Sequence, residues 1–291
     1  MLGKPRGRYP AIGLSGAVVV VTGGGRGIGR ATARAFADAG ATVCVGDLDV
    51  DTARETARDV GGSGHHLDVT SRDSYAGFVD AVTDAHGRVD VLVNNAGVMP
   101  LGPFCEESDA LSRVTMDVNV WGLIHGMRLV LPGMIARGRG HVVTIASMAG
   151  KIAIPGMAVY NASKFAAVGL TAAVRREYAD SGVSVSAVLP AAVRTELASG
   201  APLGRGLAAV DPEDVAAAVV GSVRTRRAEI PVPGYLRGWD LIAAITPEPV
   251  MRLLRDAVQD RRALTALDRA ARAAYEERVA GQARAHDEEH A

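Results

Sequence analysis

Short runs of β-branched residues alternate with longer alanine-rich segments along the first 235 residues. The run Val18 to Val21 has no polar member, which is typical of a strand buried on both faces of a sheet. This alternation predicts a doubly wound parallel sheet of about seven strands with helices on both faces. The predicted strands are 17–22, 42–46, 64–69, 90–95, 141–147, 183–190 and 229–232. The predicted helices are 28–39, 51–59, 72–86, 107–136, 159–180 and 212–224.

The pattern changes after residue 235. Prolines between Pro231 and Pro249 interrupt the chain where it leaves the sheet, and helical periodicity resumes at Val250. One apolar stripe of this tail comprises Leu264, Leu267, Ala271 and Tyr275. The last residues, 283–291, are polar and are expected to be frayed. We therefore predict one domain over 1–235 and a helical extension over 236–291 that packs on it.

Charge and composition exclude several classes of protein. Lys plus Arg and Asp plus Glu both number 32, so the chain has no general attraction to nucleic acid or to anionic lipid. No uncharged apolar stretch reaches the length of about 18 residues that a membrane-spanning helix needs. Lys4, Arg6 and Arg8 are not followed by an apolar stretch of signal-peptide length. A cytoplasmic location is the expectation.

The sequence offers no metal site. Cys44 and Cys105 are the two cysteines, and they are interpreted as buried small hydrophobic residues rather than as a disulfide or a metal pair. The histidines show no metal-ligand spacing with other candidates. We therefore predict no bound metal.

A glycine-rich turn, TGGGRGIG, runs from Thr22 to Gly29 between the first predicted strand and the first helix. We assign Gly23 to the turn, Gly27 to close backbone approach by a ligand, and Gly29 to contact between helix and sheet. The start of the helix directs free N–H groups at an anion. A glycine-rich turn in this context predicts a Rossmann-type site for the diphosphate of a dinucleotide.

Two charged residues bear on the choice between NAD and NADP. Asp47 closes the second strand, where a carboxylate accepts hydrogen bonds from the adenosine ribose and repels a 2′-phosphate. Arg26 argues the other way, because a cation beside the phosphates pairs with the extra phosphate. Leu48 supplies no second cation. The carboxylate favours NAD, and NADP remains the alternative.

Tyr160 and Lys164 are four residues apart on a predicted helix, which places both side chains on one face. A nearby ammonium is expected to lower the phenol pKa, so that the tyrosine acts as a general acid/base. Ser147 ends a strand at the edge where α/β folds bind ligands, and its hydroxyl is suited to stabilising a substrate oxygen. Asn119 is a polar residue between two valines and is a candidate to hold a water that relays protons to Lys164.

Two further segments end predicted strands. Asp68 follows the third strand, where it either meets the adenine amino group or serves as a helix cap or turn residue. Asn94-Asn95-Ala96-Gly97 follows the fourth strand, and its small residues let a ribose lie against the backbone.

These pieces together resemble the short-chain dehydrogenase/reductase family over about residues 15–235. The matching pieces are TGGGRGIG (22–29), Asp47, Asp68-Val69, NNAG (94–97), Asn119, Ser147, Tyr160 with Lys164, and Pro190. The resemblance implies that Tyr160 is the catalytic acid/base and that Lys164 binds the nicotinamide ribose and tunes Tyr160. It also implies that Ser147 polarises the substrate oxygen and that Asn119 completes a catalytic tetrad.

The resemblance also implies a set of cofactor contacts and an assembly. The implied contacts are Gly23, Arg26, Gly27, Ile28, Asp47, Asp68, Val69, Asn95, Ala96, Gly97, Tyr160, Lys164, Pro190, Val193 and Thr195. The family usually has a glycine after the proline of the sixth strand, whereas here Ala191 adds a methyl group near the nicotinamide. A homodimer or homotetramer that pairs through the helices at 107–136 and 159–180 is implied as well.

The segment after Thr195 generally covers the substrate in this family. Here residues 196–204 are small and apolar apart from Glu196, which suits a hydrophobic substrate. The side chains that either line the same pocket or pack as ordinary loop residues are Met148, Ile152, Ile154 and Met157. The segment 236–245, with Trp239, is expected to pack on its own domain, with pocket capping or contact with a membrane surface as alternatives.

The sequence therefore predicts an oxidoreductase that transfers a hydride between NAD(H) and a secondary alcohol or ketone, with a lipophilic substrate. An NADP-dependent carbonyl reductase is the alternative within the same class. A non-catalytic dinucleotide-binding protein on the same fold is the other alternative, although such a protein has no need of the serine, tyrosine and lysine together.

Overall fold

The computed structural model describes residues 9–201, 209–258 and 261–290. Its centre is one seven-stranded sheet in the order β3-β2-β1-β4-β5-β6-β7, with every pair parallel. The strands are β1 (Val18–Thr22), β2 (Thr42–Asp47), β3 (Ser63–His66), β4 (Val91–Asn94), β5 (Gly140–Ile145), β6 (Val183–Pro190) and β7 (Glu229–Val232). The predicted Rossmann-type sheet is confirmed.

Seven helices cover the two faces of this sheet. They are α1 (Gly27–Asp38), α2 (Val50–Val60), α3 (Arg72–His86), α4 (Asp109–Met116), α5 (Gly122–Ala136), α6 (Ala158–Glu177) and α7 (Pro212–Thr225). The continuous apolar run of β1 serves both faces. Val19 and Val21 pack in the cluster that contains Phe36 of α1, whereas Val18 and Val20 pack in the cluster that contains Phe78 of α3.

The helix predicted over 107–136 is not continuous. A π-helical turn at Asp117–Trp121 separates α4 from α5 and contains Asn119. Such turns insert one extra residue into a helix and occur frequently at functional sites. The stretch Asp109–Ala136 is also the one helical stretch among the described residues that is long and apolar enough to cross a membrane, and half of its apolar window is buried inside the protein.

The C-terminal region is helical, as predicted, but its details differ. It forms α8 (Trp239–Ile245), α9 (Glu248–Val258), α10 (Arg262–Thr265) and α11 (Arg269–His290). The expectation that residues 283–291 are frayed is wrong for its first part, because α11 packs on α4 and buries Ala283 and His286. The predicted apolar stripe is also wrong, since Ala271 is exposed. The buried face comprises Arg272, Tyr275, Val279, Ala283 and His286.

The expectations for the cysteines and for the segment 236–245 are each confirmed in one part and wrong in another. Cys44 is buried as predicted, whereas Cys105 is exposed, because it lies in a short helical turn before α4 rather than in the core. In the segment 236–245, Trp239 packs against the core, but Ile245 is 70% exposed. Lys4, Arg6 and Arg8, the residues 202–204 of the predicted covering segment, and Ala291 lie outside the described residues.

Candidate active site

The carboxyl ends of β1 and β4 lie side by side, and the chain leaves them in opposite directions across the sheet. In α/β folds a crevice opens at such a switch point. Here it holds a cavity of about 1090 Å³. Every residue predicted for cofactor binding or catalysis lines this cavity, with the exception of Asn119.

The glycine-rich turn forms one end of the cavity. Gly23 has a φ of +60°, and a Cβ added to it would lie 2.8 Å from the Cα of Ala96, so only glycine fits there. A Cβ on Gly29 would lie 2.1 Å from the carbonyl oxygen of Gly23, so Gly29 brings α1 against the turn itself. Gly27 faces Thr195 across the cavity, at 3.2 Å from an added Cβ to the Thr195 methyl group.

The N-terminal end of α1 is open to the cavity. Its N-cap residue, Arg26, makes no side-chain capping hydrogen bond, and no acidic residue lies in the first turn. The first N–H groups of a helix have no partners within the helix and carry its partial positive charge. This end of α1 is therefore suited to an anion, as the sequence predicts for the diphosphate.

Asp47 lies at the far end of the turn and is joined to it. Its Oδ2 accepts a hydrogen bond from the Gly25 N–H at 2.9 Å, and its Oδ1 accepts from the Asp49 N–H at 3.1 Å. Arg26 is already paired, since its Nη2 lies 2.6 Å from Asp49 Oδ2 and its Nε lies 4.0 Å from Glu196 Oε2. The Arg26 guanidinium lowers the pKa of Asp49.

Asp68 acts as a turn residue in this structure. Its Oδ1 accepts hydrogen bonds from the N–H and the hydroxyl of Thr70, at 2.9 and 2.7 Å. The cap of α3 is Ser71, so the alternative of Asp68 as a helix cap is wrong. Asp68 and Val69 nevertheless lie in the cavity wall.

Asn95 fixes the glycine-rich turn to the end of β4. Its Nδ2 donates to the carbonyl oxygens of Thr22 and Gly23, both at 2.9 Å. The Thr22 hydroxyl in turn accepts from the backbone N–H groups of Asn95 and Ala96. The amide of Asn95 therefore holds the glycine-rich turn and the end of β4 in one arrangement.

Asn119 lies behind the cavity wall, and its amide is fully engaged. Its Oδ1 accepts from the Val98 N–H, and its Nδ2 donates to the Val98 carbonyl and to the Ser163 hydroxyl, at 2.9 to 3.0 Å. A Cβ on Gly97 would lie 3.2 Å from Asn119 Oδ1 and 3.6 Å from Lys164 Nζ, so the two side chains meet beneath Gly97. Its role in a water relay stays a prediction.

Ser147, Tyr160 and Lys164 come together at the centre of the cavity. Tyr160 and Lys164 are 7% and 6% exposed on the same face of α6, and Lys164 Nζ lies 5.7 Å from the centre of the phenol ring. Lys164 Nζ donates to the carbonyl oxygen of Ile145 at 3.1 Å. Ser147 Oγ accepts from the Ala149 N–H at 3.0 Å and lies 3.5 Å from the carbonyl oxygen of Pro190.

Burial shifts both titratable groups away from their charged forms. It raises the pKa of Tyr160 to about 12, while the hydrogen bond from Ser147 opposes that shift. It lowers the pKa of Lys164 to about 8. The sequence-based expectation of a lowered phenol pKa is thus reversed in this structure, because desolvation outweighs an ammonium that bonds to a carbonyl instead of to the phenol.

The model of the short chain dehydrogenase family matches residues 17–204, which include the glycine-rich turn, Asn119, Ser147, Tyr160 and Lys164. This chain belongs to the short-chain dehydrogenase/reductase family. Its resemblance to that family is therefore confirmed, and it is an oxidoreductase of the family.

Relatives support the same assignment. The oxidoreductase SadH of Mycobacterium tuberculosis is 34% identical over 266 residues, which are 84% of this chain and 96% of that protein. The glycine betaine reductase ATRR of Emericella nidulans is 39% identical over 228 residues, which are 72% of this chain but only 18% of that protein. A short-chain dehydrogenase/reductase from Burkholderia phymatum, solved in complex with NAD, has a TM-score of 0.71 and 29% identity, covering 81% of this chain and 98% of its own.

The short-chain dehydrogenase/reductase site continues into an apolar half beyond Ser147. Met148, Ile152, Ile154 and Met157, for which the sequence left two alternatives open, all line the cavity. Leu197 and Trp239 close the same side.

Sequence reasoning missed the part of this short-chain dehydrogenase/reductase site that helices α9, α10 and α11 form. Tyr275, Arg278 and Val279 line the cavity. Tyr275 Oη accepts a hydrogen bond from the Met99 N–H at 2.7 Å. The sequence marked Tyr275 as part of an apolar stripe, but nothing in the stripe indicates which part of the domain it covers.

Proposed function

We propose that this protein transfers a hydride between NAD(H) and a secondary alcohol or ketone. The observation that carries the proposal is the convergence of Ser147, Tyr160 and Lys164 in the same cavity as the glycine-rich turn and Asp47. Each of these side chains has other common roles by itself. Their meeting at the carboxyl edge of the sheet supports one combined role in redox chemistry.

The dinucleotide fits the residues of the cavity. The open end of α1 suits the diphosphate, and the absence of a side chain at Gly27 keeps a Cβ from crowding the Thr195 methyl group at 3.2 Å. The carboxylate of Asp47 is suited to accept hydrogen bonds from the hydroxyls of the adenosine ribose. Thr195 and Val193 follow β6 and are suited to contact the carboxamide of the nicotinamide.

The pairing of Arg26 supports NAD over NADP. Arg26 is the one residue that argued for NADP in the sequence, and it is already bound to Asp49 and lies near Glu196. A 2′-phosphate at this end would meet the carboxylates of Asp47 and Asp49, which repel it. NADPH would have to separate Arg26 from its carboxylate before gaining a cation.

The chemistry assigned to the chain is a proton transfer beside a hydride transfer. The nicotinamide supplies or accepts the hydride when the dinucleotide is bound. With its pKa at about 12, the Tyr160 phenol carries its proton at neutral pH and is ready to donate it to the oxygen of a ketone undergoing reduction. In the oxidative direction Tyr160 Oη must first lose this proton and then accept the one from the alcohol.

Ser147 and Lys164 assist that proton transfer in different ways. The Ser147 oxygen already accepts from the Ala149 N–H, and the Ser147 hydroxyl bonds to the Tyr160 phenol and makes a longer contact of 3.5 Å to the Pro190 carbonyl oxygen. A substrate oxygen that lies beside both hydroxyls would take over the Ser147 proton as negative charge develops on it. The ammonium of Lys164 stabilises a phenolate at Tyr160 electrostatically.

The apolar half of the cavity supports a lipophilic substrate. Its wall beyond Ser147 includes the methionine, isoleucine, leucine and tryptophan side chains named above, which suit an apolar group. We expect activity to rise along a series of secondary alcohols as the apolar part grows, up to the size of the cavity.

Assembly into a homodimer or homotetramer is part of the proposal. Trp121, before α5, is 48% exposed, and Phe165, on α6, is 46% exposed. Large apolar side chains of this kind on neighbouring helices are typical of an interface. Light scattering on the wild type and on Phe165→Glu tests it, with a smaller particle expected for the variant.

The test of the function uses two measurements. NADH and NADPH binding is followed by fluorescence, and turnover of 2-octanol, cyclohexanol and the corresponding ketones is followed by nicotinamide absorbance. We expect NADH to bind more tightly, and we expect Tyr160→Phe to lower turnover by about 100-fold or more while it binds NADH normally. Tighter binding of NADPH would make the protein a carbonyl reductase of the NADP type. Unchanged turnover in Tyr160→Phe would remove the assigned role of the phenol.

A further inference from the structure

The C-terminal helix α11 contains a fully buried cation, Arg272, which has no part in the chemistry described above. Its side chain is 0% exposed. Burying a guanidinium is costly unless its N–H groups are satisfied. The partners that satisfy it therefore indicate what the residue is for.

The Nε of Arg272 lies 3.2 Å from Glu276 Oε1 on α11 itself, and the other partners of the guanidinium are backbone carbonyls of two loops on the substrate side of the cavity. Arg272 Nη1 donates to the carbonyl oxygens of Leu197 and Ser199, both at 3.0 Å. Arg272 Nη2 donates to the carbonyl oxygen of Met99. One planar fork thus joins the loop that follows β6 to the loop that follows β4, and a guanidinium is the side chain best shaped for such a task.

Neighbouring contacts reinforce the same junction. Tyr275, one turn further along α11, accepts the Met99 N–H, so the N–H and the C=O of Met99 are both held by α11. The Arg272 guanidinium lies 4.7 Å from the centre of the Tyr275 ring. Arg278 pairs with Glu196 at 2.7 Å, which fastens the beginning of the loop after β6 to the same helix.

The loop after β6 also contacts the chain directly before α11 through Gly200. The Asp268 N–H donates to the carbonyl oxygen of Gly200 at 2.9 Å. Gly200 has a φ of +65°, and a Cβ added to it would lie 2.2 Å from the carbonyl oxygen of Asp268. A side chain at residue 200 would therefore separate the loop from the helix.

The two loops held by Arg272 frame the proposed substrate pocket. Met99 packs in one cluster with Tyr160 and Ala149, and Leu197 packs against that cluster. A displacement of either loop would move the wall that faces the phenol. Orientation of a substrate depends on such walls, because a shift of about 1 Å in the reacting geometry lowers rates by up to about 100-fold.

We propose that Arg272 is a positioning residue of the active site, which holds the loops at 98–101 and 196–200 in the arrangement that orients the substrate against Tyr160. The helical extension is then part of the wall of the site. This inference rests on the proposed function for its kinetic consequence, but the junction itself is testable without turnover.

The experiment compares Arg272→Ala and Arg272→Lys with the wild type and with Arg269→Ala, all in the full chain. Arg269 is the matched control, since it is an exposed arginine one turn earlier on α11. Amide hydrogen exchange is measured for peptides that cover 98–101, 196–200 and, as a reference, β1. NADH affinity and the kinetics with whichever alcohol of the panel the wild type oxidises are measured in parallel.

We expect both Arg272 variants to exchange about tenfold faster in the two loops, with exchange in β1 and NADH affinity as in the wild type. We also expect kcat/KM for the alcohol to fall by about 10- to 100-fold, with Arg272→Lys recovering less than half of the loss, since one ammonium nitrogen cannot take the places of both Nη1 and Nη2, which reach different loops. Arg269→Ala should match the wild type in every measurement.

Three results would overturn the inference. One is loop exchange in both Arg272 variants equal to that of Arg269→Ala. Another is a general rise that includes β1, because Arg272 would then be a stability residue. The third is faster loop exchange with unchanged kcat/KM. A wild type that oxidises no member of the panel would instead count against the proposed function, and the exchange data would still decide whether Arg272 joins the loops.

Discussion

Lys164 Nζ lies 5.7 Å from the centre of the Tyr160 ring, and both side chains are almost completely buried. The amine bonds to a backbone carbonyl rather than to the phenol. Burial therefore acts on the two groups in opposite directions, raising the pKa of the phenol to about 12 and lowering that of the amine to about 8. The site holds a desolvated cation at neutral pH, and this has a consequence for stability.

Lys164→Met is expected to unfold less readily than the wild type at pH 7. The pKa of Lys164 falls from 10.5 to about 8 on folding, which corresponds to a cost of about 3 kcal/mol for keeping the ammonium buried. The folded wild type binds fewer protons than its unfolded chain between pH 8 and 10.5, so its stability rises with pH across that window. Urea unfolding at pH 7, 8, 9 and 10 should show a gap that narrows as the pH rises.

Lys151→Met is the control for this prediction. Lys151 pairs with Glu229 and Asp240, at 3.0 and 2.9 Å, and its pKa is raised. Its loss should lower stability at pH 7, opposite to the effect at Lys164. A Lys164→Met gap that stays constant from pH 7 to pH 10 would mean that the amine is not desolvated as described.

The sequence was most informative where local pattern determines structure. The glycine-rich turn, Ser147 and the pair Tyr160 and Lys164 all lie at the ends of predicted strands or on one helix face, and the parallel sheet brings such ends together. Periodicity and spacing therefore sufficed to predict the sheet and these residues, whereas contacts such as Val193 and Thr195 were implied by the family resemblance.

Other features depend on contacts between segments far apart in sequence. Arg272 lies 173 residues from Met99, and an arginine in a helix gives no sign that it is buried. The direction of the pKa shift at Tyr160 was missed for the same reason, because desolvation depends on the surrounding fold and not on the spacing to Lys164. The π turn at Asn119 is likewise invisible in a pattern of period 3.6.

Asn95→Ala is expected to loosen the glycine-rich turn. The variant loses two hydrogen bonds to the carbonyl oxygens of Thr22 and Gly23, which should cost about 1 to 3 kcal/mol of stability. NADH binding should weaken by about tenfold, since the anion site is no longer preorganised. Titration of NADH by fluorescence and urea unfolding measure the two effects.

Asn95→Asp distinguishes a hydrogen-bonding role from a steric one. It keeps the shape of the side chain but turns two donors into acceptors that face carbonyl oxygens, so it should bind NADH no better than Asn95→Ala. If Asn95→Asp binds NADH like the wild type, the amide is not what holds the turn.

Asp49→Asn is expected to release Arg26 and improve NADPH binding. The asparagine can still accept at Oδ1 from the Asp51 and Thr52 N–H groups that Asp49 caps in α2, but it no longer holds the guanidinium by charge. Because the pair is about half exposed, the gain should be modest, about three- to tenfold in the NADPH dissociation constant. NADH affinity should change by less than about twofold.

Asp51→Asn is the matched control, since Asp51 lies two residues away, is 89% exposed and is 3.8 Å from Arg54. It should leave both dissociation constants unchanged. An equal improvement of NADPH binding in the two variants would indicate a general effect of net charge instead of the Arg26 pairing.

His141→Gln is expected to make the protein less sensitive to acid. His141 is fully buried at the start of β5, with its ring nitrogens 2.8 Å from the hydroxyls of Ser184 and Ser222. Burial, together with the nearby Arg226, holds its pKa well below 6.5. Below pH 6.5 the imidazole therefore binds a proton in the unfolded chain but not in the folded chain. The free energy of unfolding then falls by up to about 1.4 kcal/mol for each pH unit of acidification.

The measurement is urea unfolding between pH 4.5 and pH 7. Glutamine keeps one donor group and one acceptor between the two hydroxyls but does not titrate. The slope of the unfolding free energy against pH should therefore correspond to about one proton fewer taken up on unfolding. His66→Gln, at an exposed position of β3, should keep the wild-type slope. Equal slopes in the wild type and His141→Gln would show that the imidazole is protonated without unfolding. In that case both ring nitrogens would donate hydrogen bonds, and the surroundings of the ring would have to differ from two serine hydroxyls beside the Arg226 cation.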